Sequence, residues 1–583
     1  MVRPGAATAR RVLRDGLVAI ALFCSSAGFV LWQNAHVAVL FDLSYILNTA
    51  QRIASGQMPY RHFPLPHAPF TFLVQAAIIR LTGRIYFHHV LYAAIVGGLG
   101  TVFAWRIALN TLRGRIAMAW PVALLVAAPL VFLGVYAIVP SPEYDCDCGF
   151  WLVVALWFVQ RLDRTRNVLF GFITGAVLCA PLFFKQNMGL PFLAVALGAV
   201  VILLGLRLVP RRKPVARQPS VLALLAVLAG AGATLAAAVY VVHITVGRHN
   251  YFHWTIEYAE QRRMPGMRLM LGVYHDPMLL WTLPCILIAV VLLLVAGGKH
   301  RWARIAAFAA IAAPFVYTLA TLAIYEDADE RGDSLLALWP LLLILGGLLA
   351  LWNLLRLWKE PAMQTFLPLI LLAAIHGTFL SQQLWGSTYG IWPLLALLAA
   401  DLLVALDRFG VRARAGWFAP SLGAVFAATL LVCGGFYAVS EERLSYANLP
   451  AGPPAHSAYP QLAGLATPGP YLGEIDELLL YADANIPEED GILLLPGEEP
   501  FYFATGRRQQ FPVQYFDPTI DPYTGSEVAS MVRPYGIRWL IVKRDQQTKE
   551  DTTPDREEMM RLLMKEFKPA AHLRGYDVYR RSF

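Results

Sequence analysis

MAWPVALLVAAPLVFLGVYAIVP, residues 118–140, carries no charged side chain. Roughly 18 consecutive apolar residues are enough for a membrane-spanning helix to become the default reading, and this run is longer. Its flanks set its direction. RIALNTLRGR (106–115) stands before it and PSPEYDCDCG (140–149) after it. Loops rich in Lys and Arg stay in the cytoplasm, so the basic flank belongs inside and the acidic flank outside. Two more uncharged runs, 187–206 and 334–355, repeat the signal.

Composition extends this to the whole chain. Of 583 residues 57% are hydrophobic and only 15% charged, with a mean hydropathy of +0.52. A soluble chain would use roughly 25% charged residues, and a disordered one far fewer apolar side chains. The 48 Lys and Arg exceed the 39 Asp and Glu, giving +9. These cations sit in short clusters between apolar runs, the pattern of membrane topology rather than of a nucleic-acid surface. Six cysteines form neither a disulfide framework nor a zinc motif; Cys146 and Cys148 are the one close pair, and a C-x-C spacing bridges poorly. The sequence describes a polytopic α-helical membrane protein.

The basic clusters 106–115, 161–166, 207–217, 297–304, 356–360 and 407–414 are expected inside, and segments 33–85, 140–147, 184–188, 246–276, 325–333 and 381–388 outside. Each inner cluster joins an inbound span to an outbound one. With an uncleaved first helix after Arg3, Arg10, Arg11 and Arg14, this predicts about thirteen spans. The N-terminus is then cytoplasmic, and the chain is integral to the cytoplasmic (inner) membrane. PFTFLVQAAIIRLT (69–82) is apolar but short and contains Arg80. As a span it would invert every later loop, so it is read as an interfacial helix on the outer side.

Beyond Ser440 the composition becomes that of a soluble domain. Residues 1–440 are expected to form the transmembrane part, 441–470 a Pro/Ala-rich linker, and 471–583 an extracytoplasmic α/β domain. In that domain EIDELLLYADANI, SEVASMVRPYG and REEMMRLLMKEF read as helices, GILLLP, RWLIVKR and YDVYRR as strands.

Acids beside a bilayer are costly unless they have a partner or a task. Asp42 lies near the start of a helical stretch in the first outer loop, and Glu143, Asp145 and Asp147 crowd the start of another. Taken singly, each fits the capping of a helix N-terminus.

Together these loops resemble a known family. Asp42, Tyr45, Ala50, Gly56, Pro59 and Tyr60, followed by the prolines Pro64, Pro66 and Pro69, are similar to the first outer loop of the GT-C superfamily of glycosyltransferases. The resemblance is to the bacterial protein O-mannosyltransferase-like and aminoarabinose transferase-like enzymes. EYDCD (143–147) resembles their second acidic loop and KQNMG (185–189) their lysine-containing hairpin. Asp42 stands alone where the O-mannosyltransferases carry an Asp-Glu pair. The aminoarabinose-transferase branch has thirteen spans and an outer α/β domain, as counted here.

The resemblance implies an inverting transfer of a sugar from a polyprenyl-phosphate donor to an acceptor hydroxyl on an extracytoplasmic lipid, glycan or protein. A departing phosphate needs no proton, so one carboxylate acting as base on the acceptor suffices. Asp42 is the expected base, with Glu143 or Asp145 orienting the acceptor or holding a divalent metal ion. The phosphate needs cations. Lys185, Arg262, Arg263 and Arg61 are the candidates, with His62 and His67 as further options. His253 and Glu257, four residues apart, share a helix face and are the candidate metal ligands, although a surface ion pair is the favoured reading of the two. The outer domain is expected to cap the site through 491–508. A lipid-linked sugar flippase, or a non-catalytic polyprenyl-lipid-binding protein, is the alternative; a transporter would call for charges inside the spans and internal repeats, which are scarce here.

Overall fold

The computed structural model describes residues 6–208, 219–264, 266–296, 299–359, 361–380, 390–412, 416–440, 442–517, 520–549 and 556–582. The first part is helical throughout: α1 (Ala6–Asn34), α2 (Leu40–Ala54), α3 (Phe70–Thr82), α4 (Tyr86–Leu112), α5 (Ala119–Ala127), α6 (Leu130–Leu133), α7 (Tyr144–Leu162), α8 (Val168–Phe184), α9 (Gln186–Leu208) and α10 (Val221–Thr245). A surface excursion follows, with α11 (Arg248–Phe252), a π-turn (His253–Glu257), α12 (Tyr258–Arg263) and α13 (Met267–Met270). The bundle is completed by α14 (Leu279–Val295), α15 (Arg301–Ile324), α16 (Ala328–Leu336), α17 (Leu338–Leu355), α18 (Met363–Gly377), α19 (Trp392–Arg412) and α20 (Phe418–Val439).

Among the described residues, eight helices are long and apolar enough to cross a membrane unaided. The α5–α6 pair, α7, α8, α14 and α19 fill the other positions where the sequence places spans. Helix α7 reaches a span's length but carries Asp145 and Asp147 in its first turn. Helix α3 is a separate short helix packed on α2, as expected of 69–82.

The apolar effect does not drive helices together within lipid, so close backbone approach has to. Helices α8 and α10 show how. A Cβ at Gly175 would stand 2.0 Å from the carbonyl oxygen of Val227, and one at Gly230 2.0 Å from that of Phe172. Only glycine permits that contact.

The loops sort by charge to opposite ends. At one end Asp15 pairs with Arg106 at 3.2 Å, Arg115 donates to Gln364, and Asp163 accepts from the backbone of Met363 and Gln364. Clusters expected to share a side therefore meet there. At the other end lie α2, α3, the turn at Lys185 and the 248–263 excursion, tied by Gln186 Nε2 donating to the carbonyls of Pro66 and Thr255.

The C-terminal domain contains β1 (Ala455–His456), β2 (Ala466–Thr467), α21 (Tyr471–Asn485), β3 (Gly491–Leu495), α22 (Phe501–Thr505), α23 (Gly525–Met531), β4 (Ile537–Lys543), α24 (Arg556–Leu563), β5 (Phe567–His572) and β6 (Tyr576–Arg581). The main sheet has the order β3-β4-β6-β5, with β3 parallel to β4 and the other pairs antiparallel. Side chains alternate across it: Ile492, Leu494 and Ile541 face one core, Leu493, Leu495 and Leu540 the other. The second core is closed by Val528 of α23 and Met559 and Leu563 of α24. The first is shared with the membrane part, because Leu40, Leu43, Leu47 and Ala50 of α2 pack in it with Ile475 and Leu479 of α21 and Phe501 of α22.

Two sequence expectations need correction. REEMMRLLMKEF does not stay helical to its end, since the chain leaves α24 at Leu563 and Phe567 begins β5. Segment 441–470 is more than a tether: it forms the β1–β2 ladder, buries Leu462 and Leu465, and donates Thr467 Oγ1 to the Ala38 carbonyl at 2.9 Å.

Candidate functional site

Helix α2 is gripped along its length by the C-terminal α/β domain. Ser44 donates to the Glu498 carbonyl, Asn48 to that of Glu499 at 2.8 Å, and Arg52 to that of Pro512 at 2.8 Å. Gln547 closes its start, accepting from Leu40 N at 2.7 Å and donating to the Ala38 carbonyl at 3.1 Å. That satisfies a backbone N–H the helix itself leaves unpaired. Behind these contacts Glu498 accepts from Lys543 Nζ at 2.7 Å and from the backbone N–H of Gln547 and Thr548, all with both charged side chains fully buried.

This grip fixes Asp42 in the first turn of α2. Its Oδ2 accepts from the Tyr446 hydroxyl at 2.6 Å. Burial pushes the Asp42 carboxyl up to about 6; the Tyr446 hydrogen bond pulls the other way, and the nearby Asp145 charge adds to the rise. Glu143, buried just ahead of α7, is raised well above the ordinary glutamate range, first by burial and then by the charges of Asp42 and Asp145.

None of the three acids of the second loop caps α7 as expected. Glu143 occupies the N-cap position without a side-chain capping bond. Asp145 is paired with Lys185, both side chains under a tenth exposed. Asp147 accepts from three hydroxyls, Tyr136 at 2.6 Å, Thr71 at 2.7 Å and Tyr92 at 2.8 Å, which joins α3, α4 and the 134–143 loop to α7. Tyr136 is held there at φ +63°, a conformation costly for a tyrosine. Asp147 is thus a structural hub, and Asp145 a charge partner.

Lys185, a candidate for the phosphate, has Asp145 as its partner and the Tyr144 ring at 5.2 Å. Tyr144 stacks on His67 at 4.3 Å, and His67 shares a 2.8 Å hydrogen bond with the Tyr45 hydroxyl. The structure therefore brings Asp42, Glu143, Asp145 and Lys185 together from three separate segments. It does not bring in the other candidates. Among the described residues Arg61, Arg262, His253 and Glu257 make no hydrogen bond or ion pair with any of these four. Arg61 is exposed; Arg262 lies 5.9 Å from the Tyr258 ring and close enough to Asp521 to favour that carboxylate. The side chain of Arg263 and segment 381–389 lie outside the described residues.

His253 Nδ1 lies 3.0 Å from Glu257 Oε2, as an exposed surface pair. Among the described residues no three His, Cys, Asp or Glu groups stand close enough to hold a metal ion. Two side chains already bonded to each other do not make up a metal site.

Sequence reasoning missed Tyr446 and Gln547. Tyr446 comes from the presumed linker, whereas 491–508, the expected contributor, grips α2 on its far side through Glu498 and Glu499.

No protein-family model matches the chain, and no curated protein matches it by sequence. Among solved structures it is similar to the archaeal oligosaccharyltransferase AglB from Archaeoglobus fulgidus, in complex with an inhibitory peptide and a dolichol-phosphate, at 12% identity and a TM-score of 0.44, over 90% of this chain and 69% of that one. It is also similar to ArnT from Cupriavidus metallidurans, bound to undecaprenyl phosphate, at 13% identity and a TM-score of 0.42, over 98% of each chain. The apo form of the same ArnT gives 13% identity and a TM-score of 0.45 over the same shares.

Proposed function

We propose that this protein is an inverting membrane glycosyltransferase, moving a sugar from a polyprenyl-phosphate donor to a hydroxyl of an extracytoplasmic lipid, glycan or protein. The observation that carries this reading is the convergence of Asp42, Glu143, Asp145 and Lys185 at the end of the bundle covered by the α/β domain.

The chemistry follows from their states. Asp145 and Lys185 balance each other, and burial together with the charges of Asp42 and Asp145 favours the neutral form of Glu143. Asp42, with a pKa of about 6, is largely ionised at pH 7 yet basic enough to take a proton. It removes the acceptor's hydroxyl proton as that oxygen forms a bond to the anomeric carbon. The bond from that carbon to the phosphate oxygen breaks, and the electron pair leaves with polyprenyl phosphate. The Lys185 ammonium, at the depth where a lipid phosphate lies, stabilises the departing anion.

The test is to incubate the purified protein with a panel of radiolabelled polyprenyl-phosphate sugars and follow loss of label from the lipid. Consumption of one donor, with release of polyprenyl phosphate, supports the reading; survival of every donor in the presence of membrane-derived acceptors contradicts it.

A further inference from the structure

The end of the bundle opposite the acidic cluster holds a cavity of about 280 Å3 between α4 and α7 that the proposed transfer does not use. Its wall changes character along the helices. Leu99, Val102 and Phe103, nearer the middle of α4, form the apolar part, and Arg106, Asn110, Arg161 and Arg164 the part at the helix ends. Leu99 is exposed on the flank of the bundle, so the apolar part opens toward lipid. Phe103 meets Trp157 edge-to-face at 5.8 Å, giving the cavity a rigid side.

The charge at its rim is only partly neutralised. Arg106 shares the single carboxylate of Asp15 with Arg14 and Arg113, at 3.2, 3.3 and 3.7 Å. Arg161 has no ion pair among the described residues; its guanidinium lies 4.3 Å over the Trp157 ring, which fixes its direction. Asp163, the other acid nearby, accepts from the backbone of Met363 and Gln364 and attracts both Arg164 and Arg115, so it offsets only part of the positive charge.

We infer that this cavity is a binding site for an anionic phospholipid, its phosphate against Arg106, Arg161 and Arg164 and the start of an acyl chain against Leu99, Val102 and Phe103. Charge complementarity selects the anion, because basic pockets between spans are suited to acidic headgroups. The apolar wall selects a lipid over a soluble anion, which would leave Leu99 and Phe103 without a role. Size agrees: the volume lies near the roughly 300 Å3 lower limit of small-molecule sites, right for a headgroup and glycerol whose chains lie along the bundle surface. The site holds whether or not the chain transfers sugar.

The experiment uses the full-length protein, delipidated in neutral detergent, with native mass spectrometry against phosphatidylglycerol and phosphatidylcholine of identical chains. Phosphatidylglycerol is expected to bind about tenfold or more tightly. Arg161→Gln with Arg164→Gln should lower its affinity on the order of tenfold to thirtyfold, to the level of phosphatidylcholine. Leu99→Trp, at an exposed position, should also weaken binding while keeping every cation, and it decides the matter should the arginine variant fail to fold. Equal retention of both lipids, undiminished binding by Leu99→Trp, or displacement by glycerol 3-phosphate at equal concentration would overturn the proposal; the last result would mark a soluble-anion site.

Discussion

The Tyr446 hydroxyl donates to Asp42 Oδ2 at 2.6 Å across a sequence separation of 404 residues. A hydrogen bond to a carboxylate favours its ionised form, so Tyr446 holds Asp42 below the value that burial alone would impose. Tyr446→Phe should therefore raise the pKa of Asp42 above about 6. The acid limb of kcat/KM, expected near pH 6, should move to higher pH by on the order of one unit. A pH–rate profile checks this; a limb that does not move would show that Asp42 is not the group titrating.

The Asp145–Lys185 pair yields a second prediction. Both groups are buried, so removing either leaves a charge uncompensated, at about 3–5 kcal/mol. Lys185→Met and Asp145→Asn should each lower the melting temperature in detergent, and the double variant should recover most of the loss. Donor KM separates the roles: if Lys185 meets the phosphate, the stable double variant keeps a raised KM, and a structural lysine predicts recovery of both.

A third concerns the grip on α2. Lys543→Ala strands Glu498 in a fully buried position beside Glu499. It should cost about 3–5 kcal/mol, visible as an earlier melting transition, and should reduce transfer even though no charged atom of the proposed reaction is altered. Unchanged melting would mean that the C-terminal domain does not hold α2 as described.

Sidedness is checked by reporter fusions. A fusion after Ser440 should be active only outside the cytoplasm, and one after Lys213 only inside, as the alternation of basic clusters requires. A cytoplasmic signal at Ser440 would invert the account.

How much of this was legible in the sequence depended on the range of the interaction. Spans follow from local hydropathy, and α3 was separable from them because Arg80 interrupts a short run. The acids were visible as residue types, but their fates were not: Asp145 finds Lys185 forty positions on, while Asp147 collects hydroxyls from three elements. Tyr446 stands just before the Pro/Ala-rich run that begins at Ala447, in a segment read as linker, and Gln547 carries no motif at all. Strand β5 is not assigned from sequence, apart from Phe567 at the end of the helix read before it, because FKPAAH does not alternate cleanly and contains Pro569. Its place at the sheet edge explains both features, since an edge strand tolerates a residue without an N–H.

The central claim is that Asp42 is the base, and Asp42→Asn tests it most directly, because it removes proton affinity while keeping shape. In the polyprenyl-phosphate sugar assay the variant should lose a factor of about 10²–10⁴ in turnover while its expression and donor binding stay near those of the unaltered protein. Full turnover by Asp42→Asn would contradict the account, and inactivity of Glu143→Gln in the same assay would then move the base to the second loop.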